Sequence, residues 1–556
     1  MRYKSVAAAA AACGILMAVS CGFAAPKHAP DGLKIPVMAL DDDEAWLFWN
    51  RPADGDDVAY YNVYRDGVLV GSTKTLQTIG DESIASFREK NDKLCGNLLI
   101  KHSFHVDGLK ASKEYRFTVR AVGHDGKESA DSNAVVQMTS AAPMIVNAVD
   151  AGAVGDGKTV NTAALQAAID NLPKGGLLEI PAGVFVSGSL KLRSDMTLQL
   201  DRGAVLKGSL NADDYSLAQY TPKGFDGLLN AEAIENVRIT GEGMIDGSGW
   251  KQDMNGYMLR PDSRDERGVR ESGLLAWTQS EKLISQGDTD WQSWYSKRGI
   301  SIVMKNVKNL YIGGITLTNP PMHMMTLFKV HHVTVNNVRV LTYNCNNGDG
   351  LGFTGSDLIV ANSYFDCGDD AVVFKAGTGA IAAADKGRIV SDAHIFNNYV
   401  RHAHGGVVFG SQTAAGIHDV LAEDNVYNHT DVGLRCKTTK GMGGGAWNIH
   451  FRNNVMKDMG REAFIFTTKY RDAYTTDKMI KKDFGGVPDG CFHDILVENC
   501  NVYGARRAAI EVYGTENVKH HDITFKNVHF LNTMPVSIEN GERINIGKDV
   551  TFGFAD

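Results

Sequence analysis

Through most of the chain, apolar and polar residues alternate in short runs that close on asparagine. The pattern apolar-x-apolar-x-Asn recurs as VTVNN (Val333–Asn337), LIVAN (Leu358–Asn362) and HIFNN (His394–Asn398). It returns as IHFRN (Ile449–Asn453), ILVEN (Ile495–Asn499) and ITFKN (Ile523–Asn527), with a degenerate copy over Val420–Asn425. A period of two marks strands, because successive side chains point to opposite faces. The shortest interval, Asn337 to Asn362, is 25 residues. That is too short for a propeller blade, and no helical periodicity accompanies it, so the repeat predicts the coils of a right-handed parallel β-helix. The alternate apolar residues fill the tube. The asparagines stack at its turns and bond along the ladder, a structural role.

Two other patterns precede the repeat. Alternating runs at Ala45–Trp49, Tyr60–Gly67, Tyr115–Val122 and Asn133–Met138 are separated by turn signals such as Asp66-Gly67 and Asp125-Gly126. They predict a small antiparallel sandwich with Trp49 as its core aromatic. Leu109 followed by Tyr115 has the form of a tyrosine corner, and over about residues 25–142 these runs resemble a fibronectin type III domain. This front domain holds no catalytic cluster, so it is expected to act as a spacer or a wall of the substrate cleft, with independent carbohydrate binding ranked behind these. After Ala141-Ala142-Pro143, Asn161 is expected to cap a helix over Thr162–Leu172. Its apolar stripe would plug the open end of the strand stack, and the β-helix would occupy residues 143–556. The fold class is therefore all-β, a parallel β-helix preceded by a β-sandwich.

Composition narrows the function. The net charge of −8 argues against a nucleic-acid partner, but an acidic substrate responds to local charge and stays open. Arg2 and Lys4 precede an apolar run from Val6 to Val19 and small residues to Ala25. This predicts an export signal spanning residues 1–24, and a secreted or periplasmic protein. A second reading makes Cys21 a lipid-anchored cysteine, the one route to a membrane. Six cysteines follow, an even number that export permits to pair, and none has zinc spacing. No metal and no cofactor are expected, and the chain is expected to be a monomer.

The chemistry centres on Asn344–Lys375, where Asp349, Asp369 and Asp370 each sit just after a glycine or another aspartate. Coils of this length stack, so the three carboxylates can meet. Clustered carboxylates suit hydrolysis of a glycosidic bond, one protonating the leaving oxygen and another activating water. Crowding is expected to raise the pKa of the group that keeps its proton. Consecutive strand residues face opposite ways, so Asp369 and Asp370 reach one cleft only from a turn or bulge. Between Trp250 and Ile300 the repeat is interrupted. This insertion carries Trp277, Trp291 and Trp294 with Arg260, Arg264, Arg267 and Arg270, and reads as a lid at one end of the cleft.

Four ordered motifs then carry a resemblance: Asn347-Gly348-Asp349, Gly368-Asp369-Asp370, His404-Gly405 followed by Gly410-Ser411, and Arg435-Cys436-Lys437. Together, from about Val146 to Asp556, they look like those of polygalacturonases, glycoside hydrolase family 28. With the front domain and the NNGDG variant the chain most resembles bacterial exo-acting members. Gly348, where many endo-acting relatives have a larger residue, and Cys436, in place of a more usual isoleucine, depart from the common pattern. The resemblance implies Asp369 as general acid, with Asp349 and Asp370 holding and deprotonating water in an inverting reaction. It implies that His404 supports the acid, and that Arg435 and Lys437 bind a galacturonate carboxylate of polygalacturonate or pectin oligosaccharides. Lys375 and Tyr470 are further candidates for substrate contact. A rhamnogalacturonan or xylogalacturonan hydrolase is an alternative, as are a pectate lyase, which would need calcium, and a binding-only, adhesin-like β-helix, which would show no turnover.

Overall fold

The computed structural model describes residues 26, 28–52, 58–217, 224–250, 274–288, 290, 293, 296–470 and 484–554. The export signal, Cys21, and Trp291, Trp294, Arg260, Arg264, Arg267 and Arg270 of the insertion lie outside the described residues.

Among the described residues from Ile145 to Gly553, 33 strands join side by side into one continuous parallel sheet wound as a coil. The alternation explains the winding. Along Met196–Leu200 the first, third and fifth residues are buried and the others half-buried, and the strand lies in register between Gly176–Ile180 and Val237–Gly241. One interior cluster runs from Ala148 to Phe530. Each large aliphatic side chain it buries contributes roughly 1.5–3 kcal/mol. The asparagines stack as the repeat predicts: the Asn398 amide donates to Asn425 Oδ1 (3.0 Å), and that of Asn425 to Asn454 Oδ1 (3.1 Å). The degenerate copy is thus a full coil. Turn residues Asn337, Asn362, Asn453, Asn499 and Asn527 all have positive φ, a conformation asparagine tolerates better than most residues.

Leu165, Ala168, Ile169 and Leu172, on or just after the helix Thr162–Asn171, are buried against the first coils and cover the tube's end. Asn161 departs from expectation. Its side chain makes no cap to the helix; it accepts from Val154 N (2.7 Å) and donates to the carbonyls of Val154 and Thr159. The loop before the helix outcompetes the helix for that amide.

The front domain is a sandwich of a three-stranded and a four-stranded antiparallel sheet. Trp49 sits in its core, edge-on to Tyr61, and the Tyr115 hydroxyl accepts from Lys110 N (2.9 Å), completing the tyrosine corner. Between its strands Val68–Ser72 and Ser103–Val106 lies a helix the alternation does not reveal, α1 (Ile79–Lys90), capped by Thr78 Oγ1 on Asp81 N (3.1 Å). It is the docking element. Ile84 and Phe87 pack against Val426 and Val455 of the tube, and Gly80 N donates to Asn362 O (3.0 Å). A Cβ on Gly80 would lie 2.4 Å from the Asn362 carbonyl carbon, so only glycine fits.

The ladder asparagines serve the interface as well: Asn337 accepts from Ile79 N, and Asn397 from His102 N. Beside them Arg51 grips Asp424 (2.8 Å), while His102 and His394 stack 5.7 Å apart next to Glu423. Among the described residues no disulfide forms; Cys367, Cys436 and Cys500 are interior filling.

Candidate active site

The strands Val372–Phe374, Val407–Phe409 and Leu434–Lys437 lie in register side by side, so their outward residues form one surface. In the last, Leu434 and Cys436 point into the tube and Arg435 and Lys437 point out, as alternation requires. Cys436 thus occupies an interior position. The aspartates stand where each coil bends onto this sheet. Residues 367–371 form a bend between Tyr364–Asp366 and Val372–Phe374, and this lets both Asp369 and Asp370 face outward. Asp349 sits on the preceding coil, tied through Gly350 N to Asp370 O (2.9 Å). His404 sits on the following one, its N–H on Asp369 O (3.0 Å).

A cavity of about 220 Å³ brings together Asp349, Asp369, Asp370, Lys375, Lys437 and Tyr470. Arg435 and His404 stand behind and beside them, bonded to those aspartates. Asp370 is buried and accepts from Arg435 Nη1 (2.9 Å) and Lys437 Nζ (2.7 Å). Both cations therefore hold a protein carboxylate, while the Tyr470 ring lies over Lys437 (4.8 Å) and Arg435 (5.6 Å). Asp349 accepts from Lys375 Nζ (2.8 Å), which makes Lys375 a partner of the carboxylate cluster as well as a wall of the cavity. His404 Nδ1 lies 3.0 Å from Asp369 Oδ1 and the ring is half-exposed.

Charge settles which groups are ionised. Burial pushes the Asp349 carboxyl up, but the charges of His323 and Lys375 outweigh it and hold it well below the usual range. For Asp369, burial and the Asp349 charge also push up, yet the His404 hydrogen bond and charge, aided by Lys437, leave it lowered. Crowding therefore acts in the expected direction and loses to the cations. His404 is correspondingly raised, first by its bond to Asp369. The pair carries its proton on the imidazole, one hydrogen bond from Asp369 Oδ1. Three carboxylates face three permanent cations, Lys375, Arg435 and Lys437, and His404 adds positive charge when it holds its proton, a setting that admits an acidic ligand.

The sequence did not point to His323 or Arg298. His323 stands one coil before Asp349 (Met324 N donates to Asp349 O, 2.9 Å). Its Nδ1 donates to Asn347 O (2.8 Å) and lies 3.4 Å from Asp349 Oδ1. Arg298, buried at the end of the insertion, donates to the Pro321 and Asn346 carbonyls and to Asn347 Oδ1 (3.0 Å). Arginine only donates, so the Asn347 amide must turn its NH₂ to Asp369 Oδ2 (3.3 Å). The Trp250 ring lies 4.5 Å from the guanidinium. Part of the insertion is helical (Leu275–Ser285), and its Ser296 lines the cavity.

Comparison with known proteins gives the family of the chain. The model of glycosyl hydrolases family 28 matches residues 174–543, and the fibronectin type III model matches residues 28–137. An exo-poly-alpha-D-galacturonosidase of Dickeya chrysanthemi is 37% identical over 550 residues, covering 93% of this chain and 89% of the relative. A family 28 exopolygalacturonase of Yersinia enterocolitica superposes with a TM-score of 0.86 at 35% identity, covering 95% of this chain and 97% of that one. An endo-polygalacturonase of Pectobacterium carotovorum subsp. carotovorum is 26% identical and covers 68% of this chain and 86% of the relative.

Proposed function

The chain belongs to glycosyl hydrolase family 28, and we propose that it is an exported enzyme that hydrolyses polygalacturonate from the chain end with inversion. The observation that carries this reading is the cluster itself. One cavity holds Asp349, Asp369 and Asp370, with a histidine on the middle carboxylate and an Arg–Lys pair on the last. Asp369 protonates the leaving oxygen, receiving its proton from the pair it forms with His404. Asp349, kept ionised by His323 and Lys375, and Asp370 hold the attacking water and take its proton. Arg435 and Lys437 offer the substrate carboxylate the charge that Asp370 does not use, beneath Tyr470. Attack from the end is supported by the insertion, whose Ser296 stands at the cavity beside His323. Support also comes from exo-acting relatives that match nearly the whole chain, front domain included.

The test is digestion of free and methyl-esterified polygalacturonate. The free polymer is cut with release of mono- or digalacturonate, a slow fall in viscosity and an inverted anomeric proton in fresh product. Esterified polymer is cut far more slowly. Equal rates on both would remove the carboxylate role of Arg435 and Lys437, and a rapid viscosity drop would remove the exo reading. Product absorbing as an unsaturated uronate would mean a lyase.

A further inference from the structure

The docking of α1 leaves a groove of about 470 Å³ beside it, roughly twice the size of the cavity at the aspartates. Its floor is aromatic. Phe87 meets Tyr399 edge-on at 6.1 Å, and Tyr399 stacks on Tyr364 at 5.5 Å. Its hydroxyl is held by the Asn428 amide (2.8 Å). The walls are cationic: Lys90 from the last turn of α1, and Arg401 and Lys457 from the tube, face a single carboxylate of the lining, Glu82. Elsewhere at the interface, cations are matched by carboxylates: Arg51 by Asp424, Lys101 by Asp81, Arg238 by Asp41 (2.7 Å). In the groove, among the described residues, Lys90 and Lys457 have no carboxylate within 4 Å, and Arg401 stands 3.8 Å from Asp366.

We propose that this groove between α1 and the tyrosine stack is a second binding site for an acidic polysaccharide chain, the same class of polymer that the cleft cuts. The proposal rests on the polygalacturonate reading of the cleft. Aromatic edges with hydroxyls and amides suit a sugar ring, and unmatched ammonium groups suit its carboxylates. The site also stands close to the reaction. Arg401 lies three residues before His404, and at about 3.3 Å per residue the two are on the order of 10 Å apart along the chain. A polymer held in the groove raises the local concentration of chain ends at the aspartates without adding a contact in the cleft. This gives the front domain a task, since α1 supplies one wall. The lining cations act on binding of long chains only; none touches a reacting atom.

The experiment compares the full-length protein with Lys90→Glu/Lys457→Glu and with the milder Lys90→Ala/Lys457→Ala, each checked for an unchanged melting temperature. Migration is followed in gels cast with polygalacturonate, and hydrolysis is measured on the polymer and on trigalacturonate. Expected is a loss of polymer retardation and a KM for polymer raised about 3- to 10-fold, with kcat and all constants on trigalacturonate unchanged. Equal retardation and an equal polymer KM in the variants would overturn the proposal. So would an equal loss on polymer and trimer, which would place the effect in the cleft. Failure of the parent protein to hydrolyse polygalacturonate at all would instead refute the reading of the cleft.

Discussion

At the domain interface, Glu423 and Asp424 lie buried among His102, His394, Arg51 and Arg452. In the cleft, Asp349, Asp369 and Asp370 lie among His323, His404, Lys375, Arg435 and Lys437. The residue types are nearly the same, and the balance of forces is not. At the interface, burial and the neighbouring Glu423 charge outweigh Arg51 and push Asp424 up to about 6, while burial lowers His102 to about 3. In the cleft the cations win, and Asp349 and Asp369 are held down. The cleft also opens on a cavity, whereas His102 and both interface carboxylates are fully buried. A cluster of acids and histidines thus does not by itself mark a reaction site. Each interface carboxylate also has an arginine, Arg51 on Asp424 and Arg452 on Glu423. What distinguishes the cleft is that neither Asp349 nor Asp369 is pushed up as Asp424 is, together with room for a ligand.

The largest effect that separates the two clusters is loss of activity without loss of fold. Asp369→Asn keeps the side-chain shape and the Asn347 and His404 neighbours but removes the transferable proton. We expect kcat to fall by about 10²–10⁴-fold, with the melting temperature and binding of polymer little changed. Rates within a few-fold of the parent would remove Asp369 from the role of acid.

A smaller effect tests how the insertion holds Asp369, the proposed acid. Arg298 acts through Asn347 and is a positioning residue, so Arg298→Lys, which loses the fork that reaches three oxygens, should lower kcat by roughly 10- to 100-fold with KM nearly unchanged. The pH profile gives a readout that mere destabilisation would not. The Asp369–His404 pair must hold one proton, and the raised His404 pKa keeps it there above the usual histidine value. Activity therefore declines as pH rises through that raised value. Asp369 is ionised on both sides of this limb, and loosening the Asn347 amide leaves it a stronger acceptor for the His404 proton, so the limb should move upward. An unmoved limb with a lower melting temperature would leave Arg298 a structural role only.

Much of the molecule was legible because strands advertise themselves. A two-residue period sorts Arg435 and Lys437 from Leu434 and Cys436 without coordinates, and repeat spacing brings Asp349 to Asp370. His323 was not legible, since it precedes its strand (Met325–Asn336) in a turn where no alternation applies. Arg298 reaches Asn347 across 49 positions from inside the irregular insertion. The helix α1 carried a readable sign, Thr78 three residues before Asp81, but its apolar face is only Ile84 and Phe87, too few to stand out against the sandwich strands. Asn161 shows the opposite fault: a residue well suited to capping was taken by closer partners, and sequence does not weigh such competition.

The smallest effect concerns the interface, where chemistry is expected to leave no trace in activity. His102 Nδ1 lies 2.9 Å from the Trp49 carbonyl, which only accepts, so the ring proton sits there and Nε2 presents a lone pair. That lone pair lies 3.6 Å from Asp424 Oδ2 and 3.9 Å from Glu423 Oε1, with no hydrogen-bond partner among the described residues. A proton on Asp424 relieves the opposition, which is consistent with its raised pKa. A carboxyl whose folded pKa lies above its unfolded value stabilises most below the unfolded value. That contribution is lost as pH rises through the folded one, here between about 4 and about 6. Asp424→Asn carries an N–H at every pH and can direct it to His102 Nε2. Its unfolding free energy should therefore be flatter than the parent's across this window, and at pH 5 it should lie within about 1 kcal/mol of the parent. Denaturant unfolding at pH 4, 5, 6 and 7 measures it. Parallel curves for parent and variant would show that Asp424 does not take up a proton on folding, and the contrast with the cleft would then rest on access alone.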